Sequence, residues 1–211
     1  MSALSRYEAE YLAGILPAAD IVHRQCADFG GGQDIERTDT AILVSELRTL
    51  DDMALVREVV SQLNEFGLSV RIRSTPGLTG LNSENFWREK LVDSDLSLLS
   101  CGAHQSFEHL LAQQRPRLVV AWISTTLVDA LYEGILPVCL AKDDDPYIED
   151  SLFPLFECCL RWPRDLDTIR VVCDDDKEYW RVLERLRTNE NRAGAMRSVT
   201  RGYEDAVSQV R

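Results

Sequence analysis

From residue 41 onward, apolar and polar positions along the chain alternate between two rhythms. "AILVS" (41–45) is a short unbroken apolar run. The following "LDDMALVREVVSQLNEFG" places Leu55, Val56, Val59, Val60, Leu63 and Phe66 on one helical face. Its acidic start suits a helix N-terminus, and Gly67 suits its end. The alternation continues with "LSVRIR" (68–73) as a strand, "STPGLTG" as a loop, 83–92 as a helix and "LSLLSC" (96–101) as a strand. "SFEHLLAQQ" (106–114) then reads as a helix capped by Ser106, "RLVVAW" as the fourth strand, 124–134 as a helix and "LPVCL" (136–140) as the fifth strand. Strands that are apolar almost throughout, joined by helices through short loops, predict an α/β protein with a parallel sheet covered on both faces. Right-handed crossovers make that sheet doubly wound and Rossmann-like.

The flanks read differently. Residues 1–28 predict helix, with Tyr7, Tyr11, Leu12, Ile15 and Leu16 forming a stripe broken at Pro17; "AADIVHRQCADF" fits either a strand or a second helix. "GGGQD" (30–34) makes a flexible joint and does not match the G-x-G-x-x-G fingerprint of dinucleotide sites. Beyond residue 150 the chain turns helical. "DDDKEYWRVLERLR" directs Tyr179, Val182, Leu183 and Leu186 inward, while Met196, Val199, Tyr203 and Val207 form a stripe that needs a surface to lie on. The expected organisation is a helical N-terminal extension with a glycine joint (1–36), a Rossmann-like domain (37–173) and C-terminal helices (174–211). The sequence shows no internal repeat and no low-complexity segment.

Composition narrows the function classes. The 211 residues carry a formal charge of -12, which disfavours nucleic acid, because phosphate backbones are held by clustered Lys and Arg. No apolar run approaches the roughly 20 residues of a membrane span, and the start lacks the pattern of a secretory signal, so a cytoplasmic protein is expected. Six cysteines (26, 101, 139, 158, 159 and 173) form no C-x-x-C pair and read as buried, reduced thiols. Neither His104 and His109, five residues apart, nor any other histidine pair has metal-ligand spacing. The triplet Asp143 to Asp145 follows a strand, as a metal-holding Asp-x-Asp would. The triplet Asp174 to Asp176 reads as a helix start. No metal and no cofactor are expected.

One cluster carries candidate chemistry. "RLVVAW" ends where Ser124, Thr125 and Thr126 begin, and the following helix starts at the same place. Ligands of open parallel sheets bind at the carboxyl ends of the strands. Unpaired amides of a helix N-terminus plus hydroxyl donors suit a phosphate or pyrophosphate there. The same residues also make an ordinary N-cap, and the two readings stand level. Asp129, one turn along, could accept from ribose hydroxyls.

The segment "VVAWISTTLVDALYEGILPVCL" resembles the strand, Ser-Ser/Thr-Thr, Glu/Asp-Ala-Leu, Gly-x-Pro, strand succession of C-terminal domains of GT-B glycosyltransferases, including capsule and lipopolysaccharide transferases. "ILVSELRTLDDMALVREVVSQLNEFGLSVRIRSTPG" and "SLLSCGAHQSFEHLLAQQRPRLVVAW" resemble the rest of that domain, so the likeness spans residues 40–160 in order. It implies one nucleotide-sugar-binding half of a GT-B fold. Ser124, Thr125 and Thr126 would hold the donor phosphates, and Asp129 would lie near the ribose, with Glu133 as a competing register. Gly102 and His104 would border the base pocket, and Arg73 would approach the phosphates. Where the family carries His-Pro, this chain has Ser74, Thr75 and Pro76, so that phosphate-binding histidine is missing. A GT-B enzyme needs two such domains, so the catalytic base is not assigned. An acceptor-binding protein partner or a second copy is expected to supply the remainder. A polyol-phosphate transferase, a sugar-nucleotide epimerase-like domain and a non-catalytic nucleotide-binding or regulatory module remain open on the same fold.

Overall fold

The computed structural model describes residues 2–3, 22–23, 36–47, 49–74, 80–90, 97–99, 107–142 and 158–189. Six strands form one all-parallel sheet: β1 (Thr38–Val44), β2 (Ser69–Arg73), β3 (Ser97–Leu99), β4 (Pro116–Ala121), β5 (Leu136–Cys139) and β6 (Leu160–Arg161). Their order across the sheet is β3-β2-β1-β4-β5-β6, the Rossmann arrangement. The sequence pattern anticipates five of them. The sixth has two residues, too few to show any periodicity.

The central strands are apolar because both of their faces are covered. Residues 41–44 of β1, all of β4 and all of β5 are buried. Helix α1 (Asp52–Glu65) connects β1 to β2 and buries Val56, Val59, Val60 and Leu63. Burying each of these side chains contributes about 1.5–3 kcal/mol. It ends in a Schellman turn, in which Leu68 N donates to Leu63 O at 3.0 Å and Gly67 N to Asn64 O at 3.0 Å. Gly67 sits there at φ 81°, a conformation that suits glycine.

Helices α2 (Glu84–Lys90) and α3 (Phe107–Gln114) follow β2 and β3, and α4 (Thr125–Tyr132) connects β4 to β5. The chain moves from β1 to β2 in one direction across the sheet and from β4 to β5 in the other. Right-handed crossovers therefore set α1 and α4 on opposite faces. Helix α4 is buried nearly all round, with Leu127, Val128, Ala130, Leu131 and Tyr132 in the core. It too ends in a Schellman turn, closed by Gly134 N on Leu131 O and Ile135 N on Ala130 O.

After β6 come α5 (Leu166–Asp174) and a helix over 176–189, α6. As the pattern predicts, α6 buries Tyr179, Val182, Leu183 and Leu186. Asp175 caps it, accepting from Lys177 N at 2.9 Å and Glu178 N at 3.1 Å. Arginines then fasten this helix to the sheet. Arg117, buried in β4, pairs with Asp176 at 2.8 Å and donates to Val172 O at 3.0 Å. Arg37 Nη2 donates to Gly134 O at 2.9 Å and Arg187 Nε to Leu131 O at 3.3 Å, placing cations at the carbonyl end of α4.

Ser2–Ala3, where helix is predicted, is extended and pairs in parallel with Val22–His23, which lies in the segment that fits either a strand or a second helix. The stripes from Tyr7 to Leu16 and from Met196 to Val207, the glycine joint and the Asp143 to Asp145 triplet lie outside the described residues. No helix among the described residues is long and apolar enough to cross a membrane.

Candidate functional site

The strand order reverses between β1 and β4, so the loops leaving these two strands diverge and open a crevice at their carboxyl ends. Leu43 is level with both Ile72 and Val120, which brings the ends of β2, β1 and β4 to the same rim.

The loop after β1 is held rigidly. Asn82 Oδ1 accepts from Ser45 Oγ and from Leu47 N, both at 2.7 Å, and Asn82 Nδ2 donates to Leu47 O at 2.8 Å. Trp87, fully buried on α2, donates its indole N–H to Ser45 Oγ. Ser45 N donates to Arg73 O at 2.8 Å, extending the β1–β2 ladder to the rim. Between Ser45 and Leu47 stands half-buried Glu46, whose Oε2 accepts from Trp122 N at 3.2 Å. A carboxylate thus bridges the crevice from the β1 side to the β4 side.

On the β4 side, Trp122 O accepts from Cys139 Sγ at 3.2 Å, and Leu140 N donates to Ala121 O at 2.8 Å. Burial pushes the Cys139 thiol up to about 11. It is therefore a neutral structural thiol and no nucleophile at neutral pH. Two residues on, Ser124 is extended (φ -143°, ψ 141°) and caps α4. Its Oγ accepts from Thr126 Oγ1 at 2.9 Å and from Thr126 N at 3.4 Å. The hydroxyl cluster is thus an N-cap at the mouth of the crevice. Capping and ligand donation are compatible here, because one side-chain cap satisfies only part of a helix N-terminus.

The other sequence candidates fall into three groups. Arg73 is on the rim at the end of β2, with its guanidinium 4.4 Å from the centre of the Phe107 ring at the start of α3. Its Nε is buried without a hydrogen-bond partner among the described residues. With strands about 4.8 Å apart, Arg73 stands roughly 10 Å across the sheet from the end of β4. Asp129 is 8% exposed, one turn down α4, where its sequence context alone suggests a solvated carboxylate. Glu133 is the C-cap of α4, roughly 13 Å along the axis from Ser124, with its carbonyl accepting from Arg37. That end faces away from the crevice. Gly102 and His104 lie outside the described residues. Among the described residues, no group of three His, Cys, Asp or Glu side chains could hold a metal ion.

Sequence reasoning missed Glu46. The signal available was a charged residue directly after the first apolar strand, but its meaning requires knowing that β4 is the neighbour of β1.

The topology decides the class. This is a single Rossmann-like α/β unit. No family model matches the chain, and no curated protein matches it. Among solved structures, it is similar to a Streptomyces sp. SF2575 glycosyltransferase, SsfS6, with a TM-score of 0.42 and 14% identity. That match covers 77% of this chain and 39% of the other. It is also similar to the glycosyltransferase of kitacinnamycin, with a TM-score of 0.40 and 14% identity over 80% of this chain and 46% of that one. The chain spans less than half the length of either.

Proposed function

We propose that this chain is the nucleotide-sugar-binding unit of a glycosyltransferase, seating the donor diphosphate at the N-terminus of α4. The observation that carries the reading is the placement of the Ser124 cap at the point where the sheet order reverses, beside the end of β4. There the helix amides and the Ser124 to Thr126 cluster supply neutral donors to phosphate oxygens. In the transfer reaction these donors would stabilise charge developing on the leaving diphosphate. Arg73, at the same rim, would add a cation, and Asp129, Gly102 and His104 are the remaining donor-site candidates. The acceptor and the catalytic base would come from a partner domain or a second copy of the chain.

The test is a calorimetric panel of UDP, CDP and GDP and their sugar conjugates. It compares the wild-type chain with a variant carrying Ser124→Gly, Thr125→Ala and Thr126→Ala. Glycine at an N-cap costs only a few tenths of a kcal/mol, so the variant should fold. Each hydrogen bond lost to a charged phosphate should cost about 1.5–3 kcal/mol of binding. Equal affinity in both proteins would remove the site from α4. Binding abolished by EDTA and restored by Mn2+ would move it toward Asp143 to Asp145.

A further inference from the structure

Asn82 stands in the short turn that leads into α2, yet its side chain serves the loop after β1. Its Oδ1 accepts from Ser45 Oγ and Leu47 N, and its Nδ2 donates to Leu47 O. Leu47 offers both a donor and an acceptor, so only one orientation of the amide serves both. Ser45 and Leu47 are buried, and the Trp87 indole also donates to Ser45 Oγ. A buried network of this kind holds the loop in one shape, because any other leaves polar groups unpaired. By one further bond on each side, the clamp reaches across the rim. Ser45 N donates to Arg73 O at 2.8 Å, which ties the loop to the end of β2 that carries the rim cation. Glu46, enclosed between the two clamped residues, accepts from Trp122 N at 3.2 Å, and Trp122 lies two residues before the Ser124 cap.

A site that seats a diphosphate needs its donors held to within about 0.5 Å by the residues behind them. We propose that Asn82 is a positioning residue of the donor site, setting Arg73 and the Ser124 end of α4 relative to each other by way of Ser45 and Glu46. This deepens the reading of α4 as the phosphate seat and rests on it. Asn82 takes no chemical step and acts on the ligand only through the residues it holds.

The experiment combines calorimetric titration of UDP, CDP and GDP with amide hydrogen exchange at Trp122 and Leu136, read by NMR. It is run on wild type, Asn82→Ala, Asn82→Asp and Tyr179→Phe. The last variant removes the hydroxyl bonded to Leu136 N at the α6 interface, away from the rim, and so controls for lost stability. Asn82→Ala should weaken the nucleotide that wild type binds best by about fivefold or more and speed exchange at Trp122. Asn82→Asp keeps the acceptor for Ser45 and Leu47 N and loses only the donor to Leu47 O, so it should fold even where Asn82→Ala does not, with smaller changes of the same kind. Tyr179→Phe should speed exchange at Leu136 and leave Trp122 and nucleotide affinity as in wild type. Wild-type affinity in the Asn82 variants, weakened binding with Trp122 exchange unchanged, or an equal loss of affinity in Tyr179→Phe would each overturn the inference and leave the α4 seat standing. If none of the three nucleotides binds wild type, the α4 seat fails and this inference falls with it.

Discussion

Replacing Tyr179 by Phe tests how α6 is joined to the sheet, because it removes a single oxygen that bonds three backbone groups at that interface. The Tyr179 hydroxyl accepts from Leu136 N at 3.2 Å. It can donate to Arg117 O at 3.1 Å or Gly134 O at 3.2 Å. Phenylalanine leaves the ring packing in place and strips the partner from Leu136 N–H, which lies at the start of a fully buried strand. A buried donor left without a partner costs about 1–3 kcal/mol. Gly134 O is less affected, since it still accepts from Arg37 Nη2 at 2.9 Å. The expected loss is therefore about 2 kcal/mol, which in a chain of this size lowers Tm by roughly 4–8 °C. Urea denaturation followed by tryptophan fluorescence and far-UV circular dichroism measures it, with Tyr179→Ala as the comparison. That variant also empties the ring's site and should lose about 3–5 kcal/mol. If Tyr179→Phe stays within about 0.5 kcal/mol of wild type, Leu136 N–H has another partner, and the hydroxyl is not what keys α6 to the sheet.

Two further outcomes follow from the same region and from the buried thiols. Gly134→Ala places a Cβ 2.9 Å from Arg37 Nη2 and 3.2 Å from Arg187 Nη2 at φ 75°, so it should destabilise the chain by about 1–3 kcal/mol in the same urea assay; an unchanged midpoint would show that both arginines can move aside at no cost. Burial raises the Cys139 thiol to about 11 and Cys173 to about 12, and raises the Tyr179 hydroxyl above its ordinary value. Each group holds its proton more tightly folded than unfolded, so the stability they contribute is complete below pH about 9 and is lost as pH rises toward 11. Urea midpoints measured from pH 8 to pH 11 should therefore fall above pH 9, and a flat profile would contradict the burial of these groups.

Five of the six core strands and the helices between them are legible in the sequence because periodicity is a local property. The stripe Val56, Val59, Val60, Leu63 marks the buried face of α1 without reference to any other part of the chain. The Ser124 cap and the Asp175 cap are equally local, since each acts on backbone amides two or three residues ahead. Even the parallel sheet follows from unbroken apolar strands alternating with helices. Which strands become neighbours is not local, and it determined the rest. Glu46 meets Trp122 across 76 residues because β1 and β4 adjoin where the strand order reverses. Asn82 clamps Leu47 across 35 residues for a similar reason, from the short turn that leads into α2. Asp129 looks like a solvated charge on its own element and is buried because α4 is enclosed from more than one side. Glu133 and Asp129 are four residues apart, and only the direction of α4 shows that Glu133 lies at the helix end remote from Ser124. A hydrophobic pattern records which side of an element avoids water, but it holds no information on which distant backbone will cover that side. That depends on strand order and crossover hand, which exist only once the chain is folded.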